Sequence, residues 1–384
     1  MKILQVAASL STRVGGPRNS ILGMQTALES VGLESMIIAP AESVLHPLTD
    51  DERHSIESVA CVGFVNSPRD PRYSVSNEFR RRLRQYIEWA DLVHIHGVYL
   101  QTSSLAARMS SEQGRPFTLQ PHGALLSRAV SRRKVLKQIY FQVPPGRSVS
   151  KASGGVVAHE DELPGLRRLI GMRPGLVLPY APLSIEMDVV ISTGIGGSID
   201  PTLRSLMQRA PCVVFLARKD PQKRLDIILR AWPSIRAAVP DARLMVVGPG
   251  FEPDKRRAPS DESIIFTGSI HGADKWELLR SADVLVQPSD RENFGLTVVE
   301  AMSVGTPVVV RDTVASSEYV KQAVAGAVLS STDPLAWARS VIPLLEKSTE
   351  NARIRDSIRR FSESHLKWEH RGERLRSFFE AIGA

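Results

Sequence analysis

The sequence predicts an α/β protein of two Rossmann-like domains in tandem, each a parallel sheet covered by helices. Three observations carry that expectation. Short β-branched runs alternate with amphipathic segments, the alternation breaks down once near the middle of the chain, and it then restarts. Parallel strands need crossover connections of a dozen or more residues, usually helical, so this alternation implies a helix-covered sheet. At roughly 100–200 residues per domain, a chain of 384 residues accommodates two such units.

In the first half, KILQVAAS reads as the opening strand, followed by a helix from about Pro17 to Val31 and the strand SMIIAPA. Then come the strand DLVHIHG, a helix through Ala107, the strand PFTLQPHG, a basic helix, the strand GGVVAHE, a helix from Leu163 to Ile170 and the strand GLVLPYAP. Six or seven strands are expected there. The stretch Ser184–Pro211 carries Gly194, Gly196, Gly197, Pro201 and Pro211 without periodicity, and the chain is cut there. Beyond it CVVFLAR, a helix from Leu225 to Val239, ARLMVVGPG, SIIFTGS, a helix to Ser281, DVLVQPS, a helix from Gly295 to Val304 and PVVVRD form a second set of βα units. The tail from about Asp356 to Ile382 reads as two helices. The expected division is residues 1–190, a linker 191–210, residues 211–365, and a closing helix 366–384. Ligand is expected in the cleft facing the carboxyl ends of both sheets.

Hydrophobic content of 42%, charged content of 23% and a mean hydropathy of −0.10 describe an ordinary globular chain. Cys61 and Cys212 lie far apart, which excludes a CxxC motif or a disulfide framework and fits a reducing, cytoplasmic setting. The opening MKILQVAASL starts like a signal peptide, but its apolar run stops at Ser11 and Arg13 without a cleavage region. No run approaches the roughly 20 apolar residues of a membrane-spanning helix, so membrane contact is expected to be peripheral. A net charge of +8 implies an anionic partner. Between Arg128 and Lys151 the basic residues Arg128, Arg132, Arg133, Lys134, Lys137, Arg147 and Lys151 interleave with Val135, Leu136, Ile139, Tyr140 and Phe141, with no acidic residue. Two readings stand for this segment: a basic amphipathic helix meeting the anionic inner face of a membrane, or a solvated helix. No nucleic-acid-binding module is recognisable, and nucleic acid is not expected as a partner.

The chemistry-bearing residues cluster in DVLVQPSDRENFGLTVVEAMSVGTPVVV, residues 283–310, where a strand leads through a polar loop into a helix opening at Asn293, Phe294 and Gly295. Free N–H groups near Phe294, Gly295 and Leu296 at a helix N-terminus make an anion site, and glycine lets a phosphate approach closely. Glu292 and Glu300 stand about two helical turns apart, so both can face one side. Read by themselves they are equally well solvated helix-end charges, although EAM and the turn Gly305-Thr306-Pro307 suggest crowded surroundings for Glu300. Arg218 and Lys223 follow the strand CVVFLA in the loop ARKDPQKRLD, where two cations can meet a diphosphate. Surface solvation is the plainer reading of each taken singly.

These residues resemble the donor site of glycosyltransferase family 4, and the resemblance covers essentially the whole chain. It implies the GT-B fold: two Rossmann-like domains facing across a deep cleft, an acceptor-binding N-terminal and a nucleotide-sugar-binding C-terminal domain, and a C-terminal helix near Leu366-Lys367-Trp368 that crosses back onto the first. It also implies retaining transfer from a nucleotide diphosphate sugar such as a UDP- or GDP-sugar, with no metal required; no strand-end DxD motif is visible. By this resemblance Glu300 holds the ribose hydroxyls, Glu292 the sugar hydroxyls, and Arg218 and Lys223 the diphosphate. Gly15-Gly16-Pro17 matches the family's glycine-rich loop, which is otherwise simply a tight turn, and His122 resembles the histidine beside the anomeric carbon. Arg18, His96, His159 and Glu160 are acceptor-side candidates. Four departures stand out: His159 where serine is common, Ala217 and Arg224 where glycines flank the cationic loop, and Pro179-Tyr180-Ala181 where an asparagine-glycine turn is usual.

The expected reaction moves a hexose-type sugar to an acceptor, foremost a lipid-linked glycan intermediate of cell-surface or exopolysaccharide synthesis, at the inner face of the membrane. Two other classes remain open. A catalytically silent nucleotide-sugar-binding subunit accommodates the departures, and a GT-B nucleotide-sugar epimerase shares the fold but needs acid/base residues not identified here. A dehydrogenase is disfavoured, since Gly194-Ile195-Gly196-Gly197 lacks a strand-to-helix setting.

Overall fold

The computed structural model describes residues 1–11, 16–40, 48–57, 60–65, 75–126, 139–182, 205, 207, 209–252, 261–346 and 349–383. They form two compact units: Met1–Leu183 together with Trp368–Ala384, and Ser184–Lys367. The break expected between Ser184 and Pro211 lies mostly outside the described residues.

Seven parallel strands make the first sheet: β1 (Lys2–Val6), β2 (Glu34–Pro40), β3 (Val62–Val65), β4 (Leu92–His96), β5 (Phe117–Gln120), β6 (Gly154–Val157) and β7 (Gly175–Val177). Their order is β3-β2-β1-β4-β5-β6-β7, so the winding reverses between β1 and β4. Side chains alternate across a strand. One face presents Leu4, Val6, Val93, Ile95 and Leu119 to Phe79, Leu83 and Ile87 of helix Asn77–Trp89 and Leu105 of helix Gln101–Glu112. The other presents Gln5, His94, His96, Thr118 and Gln120, all buried, to helices Gly16–Ser30 and Gly372–Gly383.

The second sheet contains β8 (Cys212–Leu216), β9 (Arg243–Val247), β10 (Ile264–Gly268), β11 (Val284–Gln287), β12 (Val308–Arg311) and β13 (Gly326–Leu329). Its order, β10-β9-β8-β11-β12-β13, reverses between β8 and β11. Val213, Phe215, Leu244, Val246, Val284 and Val286 pack on Trp232 of helix Leu225–Ala238 and Trp337 of helix Pro334–Leu345. Both indoles find partners, Trp232 donating to Ser263 Oγ at 2.8 Å and Trp337 to the Ser331 carbonyl at 2.9 Å, as buried indole N–H groups usually do.

Several elements differ from expectation. The edge strands β3 and β13, only VGFV and GAVL, are too short and too partly buried to show a pattern. Helices Asp50–Glu57, Asn77–Trp89, Ser317–Gln322 and Pro334–Leu345 are additional, the last containing Pro343. The helix after β4 runs to Glu112 rather than Ala107, and the first tail helix starts at Thr349 rather than Asp356. Of the basic segment, Arg128, Arg132, Arg133, Lys134 and Lys137 lie outside the described residues. Its described end is not one continuous helix: Val143 interrupts it, and Pro144, fixed in φ and lacking an N–H, starts the new helix Pro144–Val149.

The chain returns to the first unit at Trp368. Trp368 Nε1 donates to the Ala181 carbonyl at 2.9 Å, Arg371 Nε to Pro179 at 2.7 Å and Arg374 Nη2 to Val177 at 2.7 Å, so the closing segment grips residues 177–181. Gly23 makes room for that indole, since a Cβ there would lie 2.0 Å from Trp368 Nε1. Alanine gains up to about 1 kcal/mol in helix propensity over glycine, but overpacking against a hydrogen-bonded indole costs about 1–3 kcal/mol. Gly23→Ala is therefore expected to lower the stability of the chain in urea unfolding; an unchanged or raised midpoint would contradict this packing.

Candidate active site

The winding reversals put the carboxyl ends of β8 and β11 side by side, the place where open α/β sheets bind ligands. Lys223 follows β8 and Glu292 follows β11, and the structure joins them: Lys223 Nζ donates to Glu292 Oε1. The same oxygen accepts from Gln287 Nε2 at 2.7 Å and Ser289 Oγ at 3.0 Å. Glu300, 4% exposed, is held by Lys275 Nζ at 2.9 Å, and that ammonium also lies 4.8 Å from the Trp276 ring. The crowding expected around Glu300 is present. The two carboxylates stand in separate cationic settings rather than sharing one.

Between them the loop turns into helix Leu296–Ser303 through Gly295, which has φ +86°. A Cβ at Gly295 would meet Val314 Cγ1 at 2.4 Å and Ser316 Oγ at 2.7 Å, so both backbone conformation and space require glycine. Phe294 is buried beneath the turn, and its carbonyl accepts from the Ser316 N–H at 2.8 Å. Asn293 and Leu296 flank the turn, half-buried. Arg218 is 71% exposed, with only a 3.6 Å approach to Asp220.

Arg224 adopts the left-handed region at φ +55°, a conformation costing a non-glycine residue roughly 1–2 kcal/mol. Its guanidinium makes two bonds to Asp226, at 2.9 and 3.0 Å, and one to Asp290 at 3.0 Å. Asp290 also accepts from Arg311. Each charge-assisted bond contributes roughly 1.5–3 kcal/mol when shielded and less when exposed, enough to offset the backbone cost.

In the first unit His122 sits just past β5 in a turn with φ +52°. Its Nε2 lies 3.1 Å from His96 Nδ1 and its Nδ1 2.9 Å from the Tyr180 hydroxyl. His96 Nε2 meets Gln5 Oε1 at 3.0 Å, and the ring of His94 lies edge-on to His96 at 4.6 Å. Burial disfavours the imidazolium at all three: His94 falls to about 4, His122 to about 3, and His96 well below the ordinary value, with the neighbouring imidazoles adding to the effect there. Close by, burial raises the Glu162 carboxyl to about 7, against backbone N–H bonds from Ala158 and Gly123.

The remaining candidates are dispersed. Arg18 is buried and donates to the Leu10 carbonyl at 3.1 Å. His159 caps the turn Glu160–Glu162, accepting from the Asp161 N–H, and Glu160 is exposed. Gly16 opens the first helix with open space at its Cβ position, while Gly15 lies outside the described residues. Gln5, Gln287, Ser289, Lys275, Tyr180 and Glu162 were not anticipated in these roles. For Gln5 and Gln287 the signal is a polar residue inside an otherwise apolar strand, LQV and VLVQ.

The glycosyl transferase 4-like domain model matches residues 15–181, and the glycosyl transferases group 1 model matches residues 205–361. Over 324 residues the chain is 26% identical to a phosphatidyl-myo-inositol mannosyltransferase of Propionibacterium freudenreichii subsp. shermanii, covering 80% of this chain and 76% of that protein. Over 279 residues it is 28% identical to a GDP-mannose-dependent alpha-(1-6)-phosphatidylinositol monomannoside mannosyltransferase of Mycolicibacterium smegmatis, covering 66% and 71%. A crystal structure of Anabaena HepE in complex with UDP shares the fold, with a TM-score of 0.70 at 15% identity over 100% of both chains. Fold and site together define a GT-B glycosyltransferase. The chain belongs to glycosyltransferase family 4.

The buried imidazoles make stability depend on pH. In the unfolded chain His94 and His122 take protons near pH 6.5, but in the fold only near about 4 and about 3. The stabilisation is full above pH 6.5 and declines below it, by roughly 1.4 kcal/mol per pH unit for each ring. Glu162 acts in the opposite sense, losing stability as pH rises from 4.5 toward 7. The rings outnumber the carboxyl, so amide hydrogen exchange in β4 and β5 is expected to speed up on going from pH 6.5 to 5, after correction for intrinsic rates. Glu162→Gln should steepen the loss; pH-independent protection would contradict the neutral cluster.

Proposed function

We propose that the chain is a retaining hexosyltransferase that moves a sugar from a nucleoside diphosphate to a lipid-borne acceptor. The observation that carries this reading is the Lys223–Glu292 junction beside a glycine-opened helix at the β8/β11 reversal, with Glu300 buried on that helix. Glu300 receives the ribose hydroxyls and Glu292 the sugar hydroxyls. Arg218, Lys223 and the N–H groups around Asn293, Phe294, Gly295 and Leu296 receive the diphosphate. Preorganised donors of this kind stabilise the charge that develops on a leaving diphosphate without a metal ion. The family resemblance assigns His122 to the anomeric carbon and Gly15 and Gly16 to the phosphate. Arg18, His96, His159 and Glu160 were candidates for the acceptor. The contacts of Arg18 and His96 favour supporting roles, leaving the more exposed His159 and Glu160 to meet acceptor.

In the proposed step the bond from the anomeric carbon to the diphosphate oxygen breaks as the acceptor hydroxyl oxygen bonds to the same face of that carbon. The departing phosphate takes the hydroxyl proton. Retention follows from attack on the face that the leaving group vacates.

The GDP-mannose-dependent relative from Mycolicibacterium supports a GDP-linked donor, and both relatives, as phosphatidylinositol-type mannosyltransferases, support a lipid acceptor over a soluble one. A lipid acceptor gives the basic segment Arg128–Lys151 its purpose: contact with the anionic inner face of the membrane, at about 1 kcal/mol per basic residue near the surface. Among the described residues no helix is long and apolar enough to cross a membrane.

A thermal-shift screen against GDP, UDP, ADP and their sugars tests the donor assignment, since ligand at 100 times its Kd stabilises by about 2.7 kcal/mol. A shift selective for one nucleotide and lost in Glu300→Ala is expected. An equal response from the variant would remove Glu300 from the site. Product analysis separates the rival classes: glycosylated acceptor marks the transferase, an altered nucleotide sugar the epimerase, and binding without turnover the silent subunit. Sedimentation with vesicles containing anionic lipid should show binding that weakens with salt and with charge reversal at Arg132, Arg133 and Lys134. Absence of binding at low salt would eliminate the membrane contact.

A further inference from the structure

The covered face of the first sheet holds a hydrogen-bonded series whose direction can be read from one end. Gln25 Nε2 lies 2.9 Å from the Ser35 carbonyl oxygen and 2.6 Å from Glu29 Oε1. A carbonyl oxygen only accepts, so the Gln25 amide nitrogen belongs there and its oxygen faces Gln5. Gln5 Nε2 donates to that oxygen at 2.9 Å, leaving Gln5 Oε1 as an acceptor 3.0 Å from His96 Nε2. His96 therefore carries its proton on Nε2. Being neutral, it has a bare Nδ1, which accepts from His122 Nε2 at 3.1 Å. The same exclusion leaves His122 Nδ1 bare, to accept from the Tyr180 hydroxyl at 2.9 Å.

We propose that Gln5 and Tyr180 are positioning residues: Gln5, through His96, fixes His122 as its Nε2–H tautomer, and Tyr180 holds the ring by its other nitrogen in a left-handed turn. Both nitrogens are engaged within the domain, so the imidazole is not a free base for the reaction. The two bonds oppose the backbone: at φ +52° His122 is held where a non-glycine residue is disfavoured. Tyr180 is itself fixed, since Arg371 and Trp368 bind the carbonyls of Pro179 and Ala181 on either side of it. This inference rests on the reading that places His122 beside the reacting sugar, but its direct test needs no substrate.

That test is a long-range proton–nitrogen correlation spectrum of the full chain labelled with 15N-histidine, at pH 7. His96 and His122 are expected as Nε2–H tautomers with bare Nδ1 atoms. A Nδ1–H or averaging His122 overturns the proposal. Gln5→Glu puts a carboxylate against His96 Nε2 and favours an imidazolium, whose Nδ1–H must then donate to His122. His122 should switch to the Nδ1–H form in that variant, and an unchanged His122 signature overturns the role of Gln5. Tyr180→Phe keeps the Nε2–H tautomer but loosens the turn, so the catalytic constant should fall about tenfold, the equivalent of the left-handed preference, while KM for the donor holds. An unchanged kcat overturns the role of Tyr180. Should the chain prove to bind no nucleotide, the reading of the reaction fails while the spectra still decide the tautomer.

Discussion

Each sheet winds outward in two directions from a central pair, β1/β4 and β8/β11, and since crossovers are almost always right-handed the two windings put their helices on opposite faces. Where the winding parts, consecutive loops diverge and cannot cover the strand ends between them. The Lys223–Glu292 pair depends on that gap. Lys223 and Glu292 are 69 positions apart in sequence yet share a hydrogen bond because β8 and β11 are neighbours. Gln5 and His96, 91 apart, meet for the same reason across β1 and β4.

The two units satisfy their polar groups differently, the first by a neutral network on the sheet and the second by ion pairs, of which Lys275–Glu300 is largely buried and those in the loops are partly exposed. In the first, the polar face of the sheet is fully covered, and an ion there would lose its hydration for an uncertain Coulombic return. Glutamine, threonine and imidazole are neutral, and each can both donate and accept, so they form a directional series. In the second unit the groups sit in loops at strand ends with 15–33% of the side chain exposed at Lys223, Glu292, Arg224 and Asp290, where ion pairs retain partial hydration. Glu292 already offsets the charge of Lys223, and Asp226 and Asp290 offset Arg224. The N-terminus of helix Leu296–Ser303 adds its positive dipole end, and Arg218, 71% exposed, approaches Asp220 at 3.6 Å.

What the sequence discloses follows from how local each signal is. The central strands, apolar and β-branched, were legible one by one, as were helices Gly16–Ser30 and Leu225–Ala238 and the Glu292–Glu300 loop, whereas helices Asn77–Trp89 and Pro334–Leu345 were not. The edge strands VGFV and GAVL were not, because four partly buried residues have no periodicity to read. Tandem Rossmann-like units were legible because two-way winding is common to the whole class. The partners of the candidate residues were hidden, since Lys275 with Glu300 or Tyr180 with His122 depends on which helix or return segment covers which strand end. Arg18 and His96 are acceptor-side candidates by position alone, and the structure buries both.

The departures from the family pattern gain a physical account on the same terms. A family glycine where Arg224 stands fits a left-handed position, and this chain keeps the conformation while supplying an anchor, the Asp226 and Asp290 carboxylates, that glycine has no need of. The loop is thereby stiffened from outside rather than left pliant. Ala217 needs no such device, since its side chain packs against the apolar core beneath the loop. Tyr180 stands where a turn is usual and adds a donor that a small turn residue lacks, aimed at the bare nitrogen of His122. At both Arg224 and His122, then, a non-glycine residue is held in a left-handed conformation by side-chain hydrogen bonds, from neighbouring Asp226 and distant Asp290 at the one and from distant His96 and Tyr180 at the other. At Arg224 the departure from glycine trades local backbone freedom for contacts that include a long-range one, to Asp290. A conformation that glycine would adopt by itself is here conditional on the folded unit around it, which couples the geometry of both half-sites to the integrity of their domains.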